Sequence, residues 1–291
     1  MRIILLLGLL LSTNLYSQDI PARWEELTAS DWSLALQKSS KTIILPIGIL
    51  EKHGPHAPIG SDLINVRAWA MGAVENEYAV VFPEYFYGQI NEAKNHPGTF
   101  ALPDKLAFEL LKATCEELGR NGFEKILIVN GHGGNPQMLR YFVQTQLDEK
   151  KDYAVYFFDP QHDQAFQEKV NSMRKSDPAG DQHGGENETS ALLYLRPDLV
   201  QLDRAKQESG ENQKRLPGIP NIYTGIWWYA AYPNHYAGEG DKATKELGKL
   251  LTDHKIEALT KALKAVKEDT QTLKLQNQFF EDVDELSQDK P

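Results

Sequence analysis

The sequence has almost no cysteine, no excess of basic residues and no internal repeat. Its single cysteine, Cys115, excludes a disulfide within the 291-residue chain. Because Cys115 falls in the apolar pattern of a helix, we expect a packed small hydrophobe rather than a nucleophile. Acidic residues outnumber basic ones by 41 to 31, and the net charge of -10 argues against nucleic acid or an anionic membrane as a partner.

The most apolar run of the chain lies at its N-terminus. Arg2 precedes the apolar residues 3–11, and small and polar residues follow as far as Ser17. This is the layout of a cleaved secretory signal, and the run is too short to span a bilayer. We expect a signal peptide at residues 1–17, a single mature domain at residues 18–291 without a membrane anchor, and a periplasmic or extracellular location.

Apolar strands alternate with amphipathic helices along the chain. Short apolar runs predict strands at 42–48, 78–82, 125–129 and 153–158. Apolar residues at helical spacing predict helices at 67–76, 103–120, 137–147 and 241–273. This order predicts an α/β fold with a mainly parallel sheet flanked by helices on both faces. Active sites in such sheets lie beyond the carboxyl ends of the strands.

The first polar motif, residues 48–62, follows a predicted strand directly. Glu51 and His53 stand two residues apart, which places them on the same side of an extended segment. Carboxylate and imidazole together suit zinc, manganese or iron, and the two oxygens of Asp62 can bridge two ions. His56 is a candidate for a group that orients a ligand.

The second polar motif, residues 129–135, also follows a strand. Glycines on both sides of His132 let the backbone turn tightly and approach an ion or a substrate. We expect His132 to point out of the sheet edge. A phosphate-binding loop is the competing interpretation, but the Walker spacing and its Lys-Ser/Thr pair are missing.

The third polar motif, residues 181–190, leads into a helix. His183 lies on a glycine-rich turn, and Glu186 and Glu188 follow it. Acidic residues at a helix start also have a purely structural explanation, since they cap free amides and favour the helix dipole. We predict that His183 is a general acid, and a role as metal ligand is the alternative.

An aromatic segment at residues 227–236 carries no acid or base except one histidine. Its density of rings suits a substrate wall or a subunit interface, and core packing explains any single ring equally well. Trp228 and His235 are the candidate substrate-binding residues.

The three polar motifs together resemble those of the creatininase (creatinine amidohydrolase) family. The matching elements are Glu51-x-His53-Gly-Pro-His56 with Asp62, Asn130-Gly-His132-Gly-Gly-Asn135, and His183-Gly-Gly-x-x-Glu188-Thr-Ser. The resemblance implies an α/β fold with a dinuclear metal site, and hydrolysis of a C–N bond in a cyclic or linear amide by a metal-activated water. It also implies a small-molecule amide substrate and homo-oligomers, often hexamers.

The resemblance further implies a role for each ligand. Glu51 and His132 would hold one ion, His53 would hold the other, and Asp62 would bridge them. The two divalent ions would be zinc together with zinc, manganese or iron. A non-catalytic exported protein that binds a metal or another ligand, and retains the site, is the alternative.

Two departures from the family pattern concern the second ion and the substrate. Gly134 stands where creatininase has a glutamate ligand, so Glu188 is the candidate for the missing ligand, with Glu186 behind it. Residues 177–180 lack the tryptophan that creatininase places against its substrate. We therefore expect creatinine to be a poor substrate.

Overall fold

The computed structural model describes residues 20–288, and a sheet of four strands lies at its centre. The strands are β1 (Thr42–Ile47), β2 (Val80–Val81), β3 (Lys125–Asn130) and β4 (Ala154–Phe157). All neighbouring strands run parallel, in the order β2-β1-β3-β4. Every residue of β1 is buried, as expected for a strand that is covered on both faces.

Helices cover both faces of the sheet, which confirms the predicted α/β fold. Within residues 20–288 the α-helices are α1 (Trp32–Lys38), α2 (Ser61–Asn76), α3 (Asp104–Arg120), α4 (Pro136–Gln144), α5 (Gln164–Met173), α6 (Glu186–Leu195), α7 (Trp227–Ala231), α8 (Lys245–Glu268) and α9 (Thr272–Gln288). Among these described residues, no helix combines the length and the apolar character needed to cross a membrane. The predicted signal peptide at residues 1–17 lies outside the described residues.

The two faces of the sheet form separate cores because successive side chains of a strand point to opposite sides. Ile43 and Leu45 of β1 pack on one face with residues of α3 and α4. Ile44 packs on the other face with residues of α2 and α8. Cys115 of α3 is fully buried, and burial raises the pKa of its thiol to about 12, so this cysteine is a packing residue.

The helix predicted at 241–273 is wrong in its bounds, because the chain breaks there into α8 and α9. Asp269 Oδ1 accepts hydrogen bonds from the backbone amides of Gln271, at 2.7 Å, and Thr272, at 3.2 Å. These side-chain bonds compete with continued helix and supply partners for the free amides at the start of α9. The spacing of apolar residues does not report such a local competition.

The helix predicted at 67–76 begins six residues earlier, at Ser61. The N-cap residue is Gly60, and the Ser61 hydroxyl donates to the carbonyl oxygen of Pro58 at 2.6 Å. Asp62 in the first turn suits the positive end of the helix dipole. The early start has a consequence for the site, because it places Asp62 in the first turn of α2, facing the carboxyl edge of the sheet.

Candidate metal centre

Four of the predicted metal ligands meet in the interior at the carboxyl edge of the sheet. Glu51 and His53 follow β1, Asp62 lies in the first turn of α2, and His132 follows β3. Their exposed fractions are 0%, 1%, 3% and 5%. Two carboxylates buried this deeply require a cationic partner, because an isolated buried charge is very unfavourable.

Asp62 lies between the two histidines. Its Oδ1 is 3.1 Å from His53 Nε2, and its Oδ2 is 3.2 Å from His132 Nδ1. The two oxygens of one carboxylate therefore face two different imidazoles, which is the arrangement of a carboxylate that bridges two ions.

Backbone carbonyls define which ring nitrogen of each histidine carries the proton. His132 Nε2 lies 2.9 Å from the carbonyl oxygen of Gln89, and His53 Nδ1 lies 3.2 Å from that of Glu51. Because a carbonyl only accepts, these nitrogens donate, and in the neutral rings the opposite nitrogens present lone pairs to Asp62.

Lone pairs thus face carboxylate oxygens at the centre of the cluster. Glu51 Oε1 is 2.6 Å from His132 Nδ1, yet neither Glu51 Oε1 nor Asp62 Oδ2 has a well-formed hydrogen bond. Acceptors at such distances repel unless a cation lies between them. The donor set of carboxylate oxygen and imidazole nitrogen is that of zinc, manganese or iron sites.

The electrostatics of the cluster favour positive charge in the same place. Burial by itself lowers the pKa of His53, but Asp62 and Glu51 outweigh it and raise that pKa to about 10. Burial by itself raises the pKa of Glu51, but His132 and His183 hold it well below its usual range. The protein therefore stabilises a cation here, whether a proton or a metal ion.

The loop after β3 is held by its two asparagines. Asn130 Oδ1 accepts from the amide of His132 at 3.2 Å and from Asn135 Nδ2 at 3.0 Å. Asn135 Oδ1 accepts from the amide of Gln89 at 3.0 Å, which brings the Gln89 carbonyl to His132. A β-carbon at Gly134 would lie 2.5 Å from His132 Nε2, so the present position of the ring depends on a glycine there.

His183 and Glu188 also lie beside His53. His183 Nε2 donates to the carbonyl oxygen of Lys52 at 2.8 Å, and His183 Nδ1 lies 3.8 Å from Glu188 Oε2. The same Glu188 oxygen is 3.9 Å from His53 Nε2 and accepts the amide of Gly184 at 2.6 Å. Glu188 is thus near the cluster and also bound at the start of α6.

Glu186 points away from the cluster. It is fully buried, and its carboxylate accepts from the backbone amides of Lys175, at 3.0 and 2.9 Å, and Ser176, at 2.7 Å. It anchors the segment before α6. The purely structural explanation of an acidic residue near a helix start therefore describes Glu186.

Sequence reasoning missed a buried ion pair beneath this turn. Arg174 Nη2 donates to Asp181 Oδ2 at 2.6 Å, and the same oxygen accepts the amide of Asn187 at 3.1 Å. Burial raises the pKa of Asp181 to about 6, against the opposite effect of Arg174. A buried arginine seven residues before an aspartate is no recognisable pattern, so only the folded chain reveals this pair.

His56 connects the first motif to α6. Its Nε2 lies 2.8 Å from Thr189 Oγ1, and the Thr189 hydroxyl donates to the carbonyl oxygen of Gly184 at 2.9 Å. Burial lowers the pKa of His56 to about 4, so the ring is neutral and donates to the threonine. His56 thereby holds the turn that carries His183.

Trp228 and His235 form a chain of hydrogen bonds that ends at Glu51. Trp228 Nε1 donates to His235 Nδ1 at 2.8 Å, and His235 Nε2 lies 2.5 Å from Glu51 Oε2. The Trp228 ring is partly buried and lies edge-on to His183, with 5.8 Å between ring centroids.

The ligand-type atoms fall into two groups that face each other. We call Glu51, Asp62 and His132 the first ligand group, and His53, His183 and Glu188 the second ligand group. His235 also lies within reach of Glu51 and His183, but both of its ring nitrogens are used in the bonds just described.

Comparison with known proteins identifies the family of the chain. The model of the creatininase family, described as creatinine amidohydrolase, matches residues 25–263. The chain belongs to the creatininase family.

Two relatives of this chain are named as hydrolases. The mycofactocin precursor peptide peptidase of Mycolicibacterium smegmatis is 32% identical over 167 residues, which cover 55% of this chain and 60% of that protein, less than two thirds of its length. The creatinine amidohydrolase of Pseudomonas putida is 29% identical over 197 residues, which cover 62% of this chain and 74% of that protein.

Solved creatininase structures share the fold. A manganese form and a variant of Zn–Zn type are 21% and 22% identical to this chain, each with a TM-score of 0.67. In both cases the match covers 86% of this chain and 100% of the other chain. At this level of identity the likeness establishes the fold alone.

Proposed function

We propose that this protein hydrolyses a C–N bond of an amide and depends on two divalent cations. One observation carries the proposal: Asp62 directs its two oxygens at two histidines whose lone pairs, fixed by backbone carbonyls, face it. Such a set of facing acceptors is unfavourable unless protons or metal ions lie between them, and its carboxylate and imidazole donors are those of a metal site.

These contacts support the ligand assignment that the family resemblance implies. Glu51, Asp62 and His132 would hold one ion, and His53, Asp62 and Glu188 would hold the other. The ligand chemistry suits zinc together with zinc, manganese or iron. When bound, such ions lower the pKa of water and polarise a carbonyl oxygen.

His183 is placed to supply the proton that amide cleavage requires. Its Nε2 is engaged by the Lys52 carbonyl, so its Nδ1 remains available on the side of Glu188. The oxygen of water joins the carbonyl carbon, the C–N bond breaks, and the departing nitrogen takes a proton from His183 Nδ1. One proton of the water replaces it on His183, and the other stays with the acid. The products are a carboxylic acid and an amine.

The substrate we propose is a small amide other than creatinine. Its class follows from the family, whose relatives are named as a creatinine amidohydrolase and a peptide peptidase. Residues 177–180 place no tryptophan before the His183 turn. We expect creatinine turnover far below about 1–1000 per second, the usual range of enzymes on their own substrates. Turnover within that range, measured with purified protein, would contradict this part of the proposal.

Location and assembly belong to the same proposal. The signal-like N-terminus supports export to the periplasm or beyond, and the family resemblance supports a homo-oligomer such as a hexamer. N-terminal sequencing of protein from its native host tests the first point, and light scattering of the mature protein tests the second. An intact Met1 or a monomer would contradict them.

The decisive experiment measures metal and activity together. Protein purified without chelator is analysed by mass spectrometry for metal per chain, then assayed against lactams, linear amides and dipeptides before and after chelation. We expect close to two ions per chain and hydrolysis that chelation abolishes and added zinc or manganese restores. Two bound ions without hydrolysis of any amide would favour a non-catalytic binding protein, and activity that survives complete metal removal would refute the metal dependence.

A further inference from the structure

The chain from Trp228 to Glu51 has a defined direction. An indole Nε1 is a donor only, so His235 Nδ1 must be the acceptor in the 2.8 Å bond between them. The proton of the neutral His235 ring is therefore on Nε2, which donates to Glu51 Oε2 at 2.5 Å. Neither ring nitrogen of His235 is left for a substrate or an ion.

The backbone around His235 is shaped to make these two bonds. His235 is 3% exposed and has a φ of +51°, a left-handed conformation that is unfavourable for a residue with a β-carbon. Its amide donates to the carbonyl oxygen of Tyr232 at 3.0 Å, and the amide of Tyr232 donates to that of Trp228 at 2.7 Å. This turn after α7 brings residue 235 back against the ring of residue 228.

The bond from His235 determines the orientation of the Glu51 carboxylate. With Oε2 held by His235, Oε1 is left at 2.6 Å from His132 Nδ1, on the side where the first ion is expected. Without that bond, the carboxylate would be free to rotate away from the lone pair of His132. Hydrogen-bond partners that orient a metal ligand are typically worth 10–100-fold in metal affinity.

We propose that Trp228 and His235 are positioning residues that orient Glu51 toward the first ion, with His235 acting through Glu51 rather than on the substrate. This inference rests on the proposed function, since it assumes an ion beside Glu51. It assigns the aromatic segment at 227–236 a role in metal affinity in addition to lining the site.

Two neighbouring tryptophans allow a matched test. Trp228→Phe keeps an aromatic ring and removes the Nε1 donor. Trp227→Phe makes the same change at a residue whose Nε1 donates to the exposed Tyr223 hydroxyl, at 3.2 Å. Dissociation constants for zinc alone and manganese alone are measured on metal-free protein by competition with a chelating dye. We expect Trp228→Phe to weaken one of the two ions about 10–100-fold, and Trp227→Phe to leave both within about twofold. Equal affinities in the two variants would overturn the proposal.

Substitutions of His235 separate positioning from simple packing. His235→Gln retains a donor group and an acceptor group, whereas His235→Met has similar bulk and no donor for Glu51. We expect the glutamine variant to retain most of the affinity for the first ion and the methionine variant to lose it about 10–100-fold, while the second ion stays bound in both. Equal loss in both variants, at unchanged thermal stability, would overturn the hydrogen-bonding role.

A measurement without metal keeps this inference separate from the proposed function. Nitrogen-15 chemical shifts of the His235 ring in metal-free protein near pH 7 should report a protonated Nε2 and a bare Nδ1. A protonated Nδ1 would overturn the proposed orientation whether or not the protein binds metal. Wild-type protein that binds no divalent ion would instead refute the proposed function, and the role in metal positioning with it.

Discussion

The two ligand groups at the carboxyl edge of the sheet differ in burial and in the spacing of their side chains. In the first ligand group every residue is at most 5% exposed, and the His132 contacts to Glu51 and Asp62 are 2.6 and 3.2 Å. In the second ligand group the Glu188 side chain is 37% exposed, and it stands 3.8 and 3.9 Å from its two histidines. The first group is enclosed throughout, whereas the second reaches solvent through Glu188, since His53 and His183 are themselves buried.

The origin of the difference lies in the elements that supply the ligands. The first group comes from the segments that follow the two central parallel strands and from the first turn of α2. The second group draws two of its three members from the His183 turn and α6, outside the sheet. An open second group suits a role in which a substrate must reach His183 and the ion beside it.

The largest expected effect comes from removing the residue that joins the two groups. Asp62→Asn keeps the volume of the side chain but removes the charge that we propose bridges two ions. We expect metal affinity to fall more than about 100-fold at both positions, since even the loss of an outer partner costs 10–100-fold, and hydrolysis to be lost with it. Metal content per chain and amide hydrolysis measure this, with the exposed Asp253→Asn as control. One ion retained at wild-type occupancy would show that Asp62 does not bridge.

The next largest effect is expected for His183 of the second ligand group, where turnover and metal content can be measured separately. We expect His183→Ala to keep both ions and to lose about 10²–10⁴-fold in turnover, the usual value of a positioned acid. The loss should be smaller on activated amides, whose leaving groups need less protonation. Metal analysis run beside the kinetics decides the matter, since an ion lost in parallel with activity would make His183 a ligand.

A third substitution tests the asymmetry of the two groups directly. Glu188→Gln still accepts the Gly184 amide but lacks the charge to hold an ion. We expect the second ion to weaken at least about tenfold and the first to be unaffected, because no residue of the first group contacts Glu188 in the described structure. Chelator titration resolves the two constants. Equal weakening of both ions would mean that the two groups form one cooperative site.

The smallest effect on the site should come from the other acidic residue of α6. Glu186→Gln weakens three bonds to the amides of Lys175 and Ser176, and we expect the free energy of unfolding to fall by about 1–3 kcal/mol. Both ions should remain bound. Urea unfolding of the metal-free protein measures the change, with the exposed Glu246→Gln as control. Loss of the second ion in this variant would contradict the purely structural role of Glu186.

Sequence patterns were sufficient to predict the strands of the sheet, but not where some of the helices begin and end. Ile43, Ile44 and Leu45 belong to a run of apolar residues that only a strand buried on both faces explains, so β1 was predictable. The break at Asp269 was not, because one side chain that bonds two amides overrides a helical pattern locally.

The motifs likewise predicted which residues are candidate ligands, but not how their side chains are arranged. Glu51, His53, Asp62 and His132 have side chains that suit metals and follow predicted strands. Their spacing does not indicate that the carbonyls of Gln89 and Glu51 determine the tautomers of two histidines. Nor does it indicate that one oxygen of Asp62 faces His53 and the other faces His132.

His235 illustrates the limit most clearly. By itself the sequence determined that a parallel α/β sheet forms and that carboxylates and imidazoles follow its strands, because apolar periodicity and side-chain chemistry are local properties. Only the tertiary structure decided which atoms face each other, since the bond between His235 and Glu51 joins residues 184 positions apart. Contacts at that separation depend on the path of the folded backbone, here a left-handed turn after α7, and no local pattern encodes that path.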